Sequence, residues 1–172
     1  MKTLLLIFGL SIFGNPITSR AVAPITVSEE CKSIDSIINA FYDVISGPKG
    51  RRDWGRLRNM CVRDAQFNMI VKDQKGNPFY RYGTLDSYIN TVEPVFDRSA
   101  FYEIEIGRTI DRFGEIAHVF SAFESRLTKN GTPIERGMNS IQLSYSKGRW
   151  WIVNIIWTTE SRKNPLPKKY LN

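Results

Sequence analysis

Apolar positions change their spacing once along this chain. Ile34, Ile37, Ile38, Phe41, Tyr42 and Ile45 recur at three- and four-residue intervals, the period of an amphipathic helix. Ser28, followed by Glu29 and Glu30, reads as the helix start, and Ser46-Gly47-Pro48 as its end. A shorter helix is predicted over residues 53–60 with Trp54, Leu57 and Met60 on one side, then a strand over 65–71 and a short arm over 79–82. Thr84 caps a third helix reaching about Ser99, with Pro94 marking a kink or early end. From Phe101 onward the period becomes two, and four strands follow at 101–111, 115–127, 135–145 and 150–159. Their connections, Asn130-Gly131 among them, are too short for parallel crossovers, so the four form an antiparallel meander.

Helices first and long strands afterwards mean an α+β domain. Strands of this length twist and curl, and helices packed across the concave side of such a sheet give a cone-shaped curved antiparallel meander with an internal pocket. The most hydrophobic piece outside the N-terminal segment is WWIVNIIW, residues 150–157. Strict alternation divides it into Trp150, Ile152 and Ile156 on one face and Trp151, Val153, Ile155 and Trp157 on the other. Both faces are apolar, so one is expected to line the cone and the other, through Trp150, Ile152 and Ile156, to meet a second copy in a homodimer.

At 172 residues and 42% hydrophobic content the chain has room for one ordinary domain. Lys2, the apolar run over 3–14 and Ala21-Val22-Ala23 read as a secretory signal peptide, residues 1–23, with a second cut site after Ser19-Arg20-Ala21. The run is too short to span a bilayer and no later segment approaches the needed length, so the expectation is an exported, periplasmic or extracellular protein without a membrane span. The domain is placed at 24–160, ahead of a basic, loosely held tail at 161–172. Removing Lys2 and Arg20 with the leader lowers the net charge from +7 to +5. The remaining basic residues are scattered among acids such as Asp53, Asp64 and Glu160, which argues against a nucleic-acid partner. Cys31 and Cys61 read either as a disulfide or as two buried thiols.

Helix–helix–strand–helix before a four-strand meander, the segment RDWGRLRNMCVRDAQFNMIV with Asp64-Ala65 at its strand start, GEIAHVFSAFESR and GRWWIVNIIWTTE together resemble the nuclear transport factor 2-like superfamily, which includes ketosteroid isomerase, scytalone dehydratase and the SnoaL-like cyclases. The resemblance covers roughly residues 28–160 and is similar in kind to that of exported bacterial members of unassigned activity. It implies a fold more than a chemistry. Where ketosteroid isomerase has its general-base aspartate this chain has Met69. The second aspartate falls at or beside Ile141, and the helix tyrosine near Ala40 or Phe41, with Tyr42 next door. Scytalone dehydratase needs paired histidines, and His118 stands alone. Both chemistries are therefore argued against.

The resemblance also suggests that Phe120, Ala122 and Glu124 face the cone. Glu124 would then be a desolvated general acid or base, or else a structural partner of Arg136 or Arg108. His118 reads as its assistant or as a packing residue. Asn139 offers an amide to a ligand or closes a strand-end hydrogen bond, and Arg136-Gly137 suggests a bulge. Tyr42, Met69, Phe120, Asn139, Ile155 and Trp157 are the expected pocket residues. No metal or cofactor site, nucleophile elbow or phosphate loop is expected. The favoured function is a binding module for a small apolar molecule. The alternatives are a cofactor-free lyase or isomerase using Glu124, and an interaction subunit with a filled core.

Overall fold

The computed structural model describes residues 28–171, so the signal-peptide reading of residues 1–23 lies outside the described residues. A 3-10 turn over Glu29–Cys31 leads into α1, Ile34–Ile45, and α2 follows at Trp54–Met60. Strands β1, Cys61–Lys72, and β2, Pro78–Arg81, form a hairpin before α3, Leu85–Phe96. The meander is β3, Tyr102–Phe113; β4, Ile116–Arg126; β5, Glu135–Ser146; and β6, Arg149–Thr159.

Helix α1 begins later than its acidic approach suggests. Ser33, not Ser28, is the capping residue, in a reciprocal capping box with Ser36. Glu29 and Glu30 belong to the preceding 3-10 turn. Pro94 is accommodated in the last turn of α3, which runs on to Phe96.

The six strands form one curved, unclosed sheet in the order β2-β1-β6-β5-β4-β3. The meander is antiparallel as its short turns require, while β1 lies parallel to β6. The helices cover the concave side, α1 against β3 and β6 and α3 against β1. The α+β cone expected from the residue pattern is the architecture observed.

Strand β6 departs from strict alternation. Leu143 pairs with Ile152 but Gln142 pairs with Asn154, so β6 carries one extra residue at Val153. Such a bulge shifts the side-chain phase by one. Trp150 and Ile152 before it, and Ile155 after it, are all buried in the same core, and Trp157 packs against that core. Trp150 and Ile152 are therefore interior residues rather than a dimer face, whereas Ile156 points to the sheet's outer side.

Gly137 is not at a bulge, since it pairs regularly with Phe123 and with Thr159. The Phe123 ring lies over it, and a Cβ at Gly137 would come within 2.5 Å of that ring. Residues beyond β6 are docked rather than loose. Leu166 donates its backbone N–H to the Glu160 carboxylate at 2.8 Å. Tyr170 stacks on Phe120 across the outer face of β4, with ring centroids 5.6 Å apart. Cys31 and Cys61 are buried free thiols. The Cys31 sulfur accepts from the Arg149 guanidinium at 2.8 Å, and burial pushes the Cys61 thiol up to about 12.

Candidate functional site

The side of β4 that faces the cone is the opposite of the one expected. Ala117, Val119, Ser121, Phe123 and Ser125 are buried, which turns His118, Phe120 and Glu124 to the outer face. Both faces of this strand mix apolar with polar residues, so alternation alone does not orient it. What decides is the match to its neighbours: Ser121 meets Tyr42 of α1, and Phe123 fits over Gly137. Outside, Glu124 forms an ion pair with Arg126. The His118 Nε2 is 2.9 Å from the Ser140 hydroxyl, with its ring edge-on to Phe120. None of the three reaches the cavity.

The interior of the cone holds a cavity of about 280 Å³. Helix α1 contributes Phe41 and Ile45, and β1 contributes Phe67 and Met69. Tyr88, Val92 and Phe96 of α3 close one wall, and Phe101, Phe123, Ile155 and Trp157 close the sheet side. Met69, Asn139, Ile155 and Trp157 all line this cavity, while Tyr42 lies one layer behind Asn139.

Polar groups enter this apolar space from three adjacent strands. Register places Glu103 of β3 opposite Ser125 of β4, and Ser125 opposite Glu135 of β5. All three line the cavity. Glu103 Oε1 accepts from the Asn139 amide at 3.2 Å, and its other oxygen accepts from Ser125 at 3.4 Å. Desolvation outweighs these two bonds and, with the like charge of Glu135 adding to it, raises the Glu103 carboxyl to about 7. Burial also raises Glu135 above its ordinary value. Among the described residues neither acid has a salt-bridge partner.

Behind the cavity the hydrogen bonds run in one direction. The Asn139 amide donates both protons, one to Glu103 and one to the Tyr42 oxygen at 3.0 Å. Tyr42 must then donate to Ser121 at 2.6 Å, and Ser121 donates to Glu105 at 2.5 Å. Arg108 neutralises Glu105 and continues to Asp35 and Asn39 of α1 at 2.8 and 2.6 Å. Burial raises the Tyr42 hydroxyl far above its ordinary value, which keeps it a neutral donor.

The residue pattern concealed Glu103. In Phe101-Tyr-Glu-Ile-Glu-Ile the isoleucines look like the inward face, yet Glu103 and Glu105 point inward and Ile104 is 37% exposed. Ser125, Asn139 and Tyr42 as buried polar partners were the available signal. Among the described residues no cluster of metal-ligating side chains occurs, and no helix is long and apolar enough to cross a membrane.

No protein-family model matches the chain, and no curated protein matches it either. Solved structures do. An NTF2-like protein of unknown function from Pseudomonas putida aligns with a TM-score of 0.57 at 9% identity, over 78% of this chain and 90% of that one. One from Silicibacter pomeroyi, likewise NTF2-like and of unknown function, gives 0.52 at 14% identity over 73% and 92%. A protein from Nostoc punctiforme described as having a cystatin-like fold gives 0.57 at 10% identity over 75% and 90%. The chain has the NTF2-like fold, and at these identities the likeness concerns fold alone.

The raised Glu103 carboxyl has a thermodynamic signature. The folded protein holds this proton up to about pH 7, whereas the reference carboxyl loses it near 4.5. The associated stabilisation is complete below 4.5 and is lost as pH rises to 7, an effect of about 3 kcal/mol. Denaturant titrations of Glu103→Gln should show this decline removed, leaving the variant more stable than the parent at pH 8. An unchanged pH dependence would contradict the assignment.

Proposed function

We propose that the protein is a binding module that takes a small, largely apolar molecule into the cone, with Glu103, Ser125 and Asn139 orienting it. The observation that carries this reading is the cavity itself: about 280 Å³ of aromatic- and aliphatic-lined space with one convergent group of polar side chains. The desolvated Glu103 supports it further. A carboxyl left without a cationic partner weakens the fold, and such groups concentrate where a site needs them. Native mass spectrometry of the purified protein should find a bound small molecule. Val92→Trp, which fills the cavity from α3, and the milder Met69→Phe should both lose it while remaining folded by circular dichroism. Parent protein that carries nothing, and gains no thermal stability from any apolar compound in a screen, would overturn the reading.

A cofactor-free lyase or isomerase is the second reading. The carboxyl poised near 7 favours it, and the acid–base group is then Glu103 rather than Glu124. Glu103→Gln separates the two, since an enzyme loses turnover while still binding.

We also propose that the protein is exported and dimeric. The segment over residues 1–23 supports export, and N-terminal sequencing of the mature protein should place the cut after Ala21 or Ala23; an intact Met1 would refute it. With Trp150 and Ile152 in the core, a second copy has the outer concavity beside Val153, where Phe113 and Ile116 are 85% and 61% exposed. Light scattering at tens of micromolar should give a dimer that Phe113→Asp converts to a monomer. A monomeric parent would refute it.

A further inference from the structure

The cavity's charge runs against that of the chain. Lysine and arginine outnumber aspartate and glutamate 24 to 17, yet among the described residues no lysine, arginine or histidine lines the cavity, and two glutamates do. Register sets Glu103 and Glu135 two strands apart, roughly 10 Å between backbones, on either side of Ser125 and on the same face. Glu105, one turn of the pleat deeper, is already neutralised by Arg108. Arg52, whose guanidinium lies 4.8 Å from the ring of the cavity residue Phe96, donates to the carbonyls of Ile45, Gly47, Pro48 and Gly50, so it is committed to the loop after α1.

Seven aromatic side chains line the same cavity, with Tyr88 in contact with both Phe67 and Trp157 at 5.2 and 5.8 Å between ring centroids. Aromatic faces carry negative quadrupole potential and attract alkylammonium groups, most strongly where water is excluded. Carboxylates supply the same sign of field without competing cations. A neutral apolar ligand uses the rings and leaves the acids unanswered, whereas an anion meets repulsion from both.

Resting on the proposed binding role of this cavity, we infer that its ligand is a hydrophobic organic cation, an alkyl- or aryl-ammonium compound whose charged nitrogen lies between Glu103 and Glu135 and whose apolar body packs on the aromatic wall. The groups that face Glu103 are consistent with a single titration near neutrality. Glu135 on β5 repels its charge, Asn139 and Ser125 donate to it, Tyr88 of α3 and Tyr42 of α1 are held neutral by burial, and β1 and β6 offer only apolar side chains. A bound cation stabilises the ionised carboxylate, so binding expels the Glu103 proton. Affinity is then full above pH 7 and falls as pH drops below it.

The test uses a permanent cation, so that only the protein titrates. Phenyltrimethylammonium and its uncharged carbon isostere tert-butylbenzene would be titrated into the full mature chain by calorimetry at pH 8 and pH 5.5. The expected result is at least a tenfold preference for the cation at pH 8, with its affinity falling about thirtyfold at pH 5.5. Glu103→Gln, shown to be folded by circular dichroism, should lower the preference severalfold and remove the pH dependence centred near 7, and a variant that keeps both overturns the inference. Equal, pH-independent binding of the two probes by the parent overturns the cation inference and leaves the apolar-ligand reading standing. Binding of neither probe overturns both.

Discussion

The contribution of β6 to the interior depends on one extra residue, at Val153. Because Val153 bulges, Trp150, Ile152, Ile155 and Trp157 all turn toward the concave side, and four large side chains in eight positions build a continuous interior. A regular strand would have sent either the first pair or the second to the outer face. The bulge also adds to the local twist, in a strand that pairs parallel with β1 on one edge and antiparallel with β5 on the other. The same irregularity turns Ile155 and Trp157 into the cavity wall.

The limits of the sequence follow from the same point. Element order, turn positions and the α+β class were legible because the apolar period changes cleanly at Phe101. Strand faces were legible only where one side is plainly polar. On β4 both sides are mixed, and on β3 the acids point inward against the apparent pattern, so the cavity's carboxyl is Glu103 and not Glu124. Nothing local reveals this. It becomes visible once the partners across the cone are known: Gly137 beneath Phe123, and Ser121 and Asn139 around the Tyr42 hydroxyl. The bulge had no sequence signal either, since Val153 is an ordinary strand residue.

The polar interior divides into two parts with different energetics. Glu105 is paired with Arg108 and fed by a one-way chain of donors, so every buried group in that part is satisfied. Glu103 is desolvated and accepts from Asn139 and Ser125, and Glu135 stands exposed at the cavity's rim; among the described residues neither has a salt-bridge partner. A satisfied network fixes α1 against β3, β4 and β5 and contributes uniqueness. This pair of acids without a cationic partner lines the cavity and leaves free energy to be gained by whatever enters.

The two cysteines acquire a chemical meaning from their surroundings. Disulfide exchange and oxidation proceed through the thiolate, and burial raises the thiol pKa of both Cys31 and Cys61. At neutral pH the folded domain thus holds two sulfurs in their unreactive form, closed off behind the 3-10 turn and the α2–β1 junction. The same sulfurs become ordinary nucleophiles in the unfolded chain. Folding is accordingly what shields this protein from thiol chemistry, and a slow folder would meet oxidants with both cysteines bare.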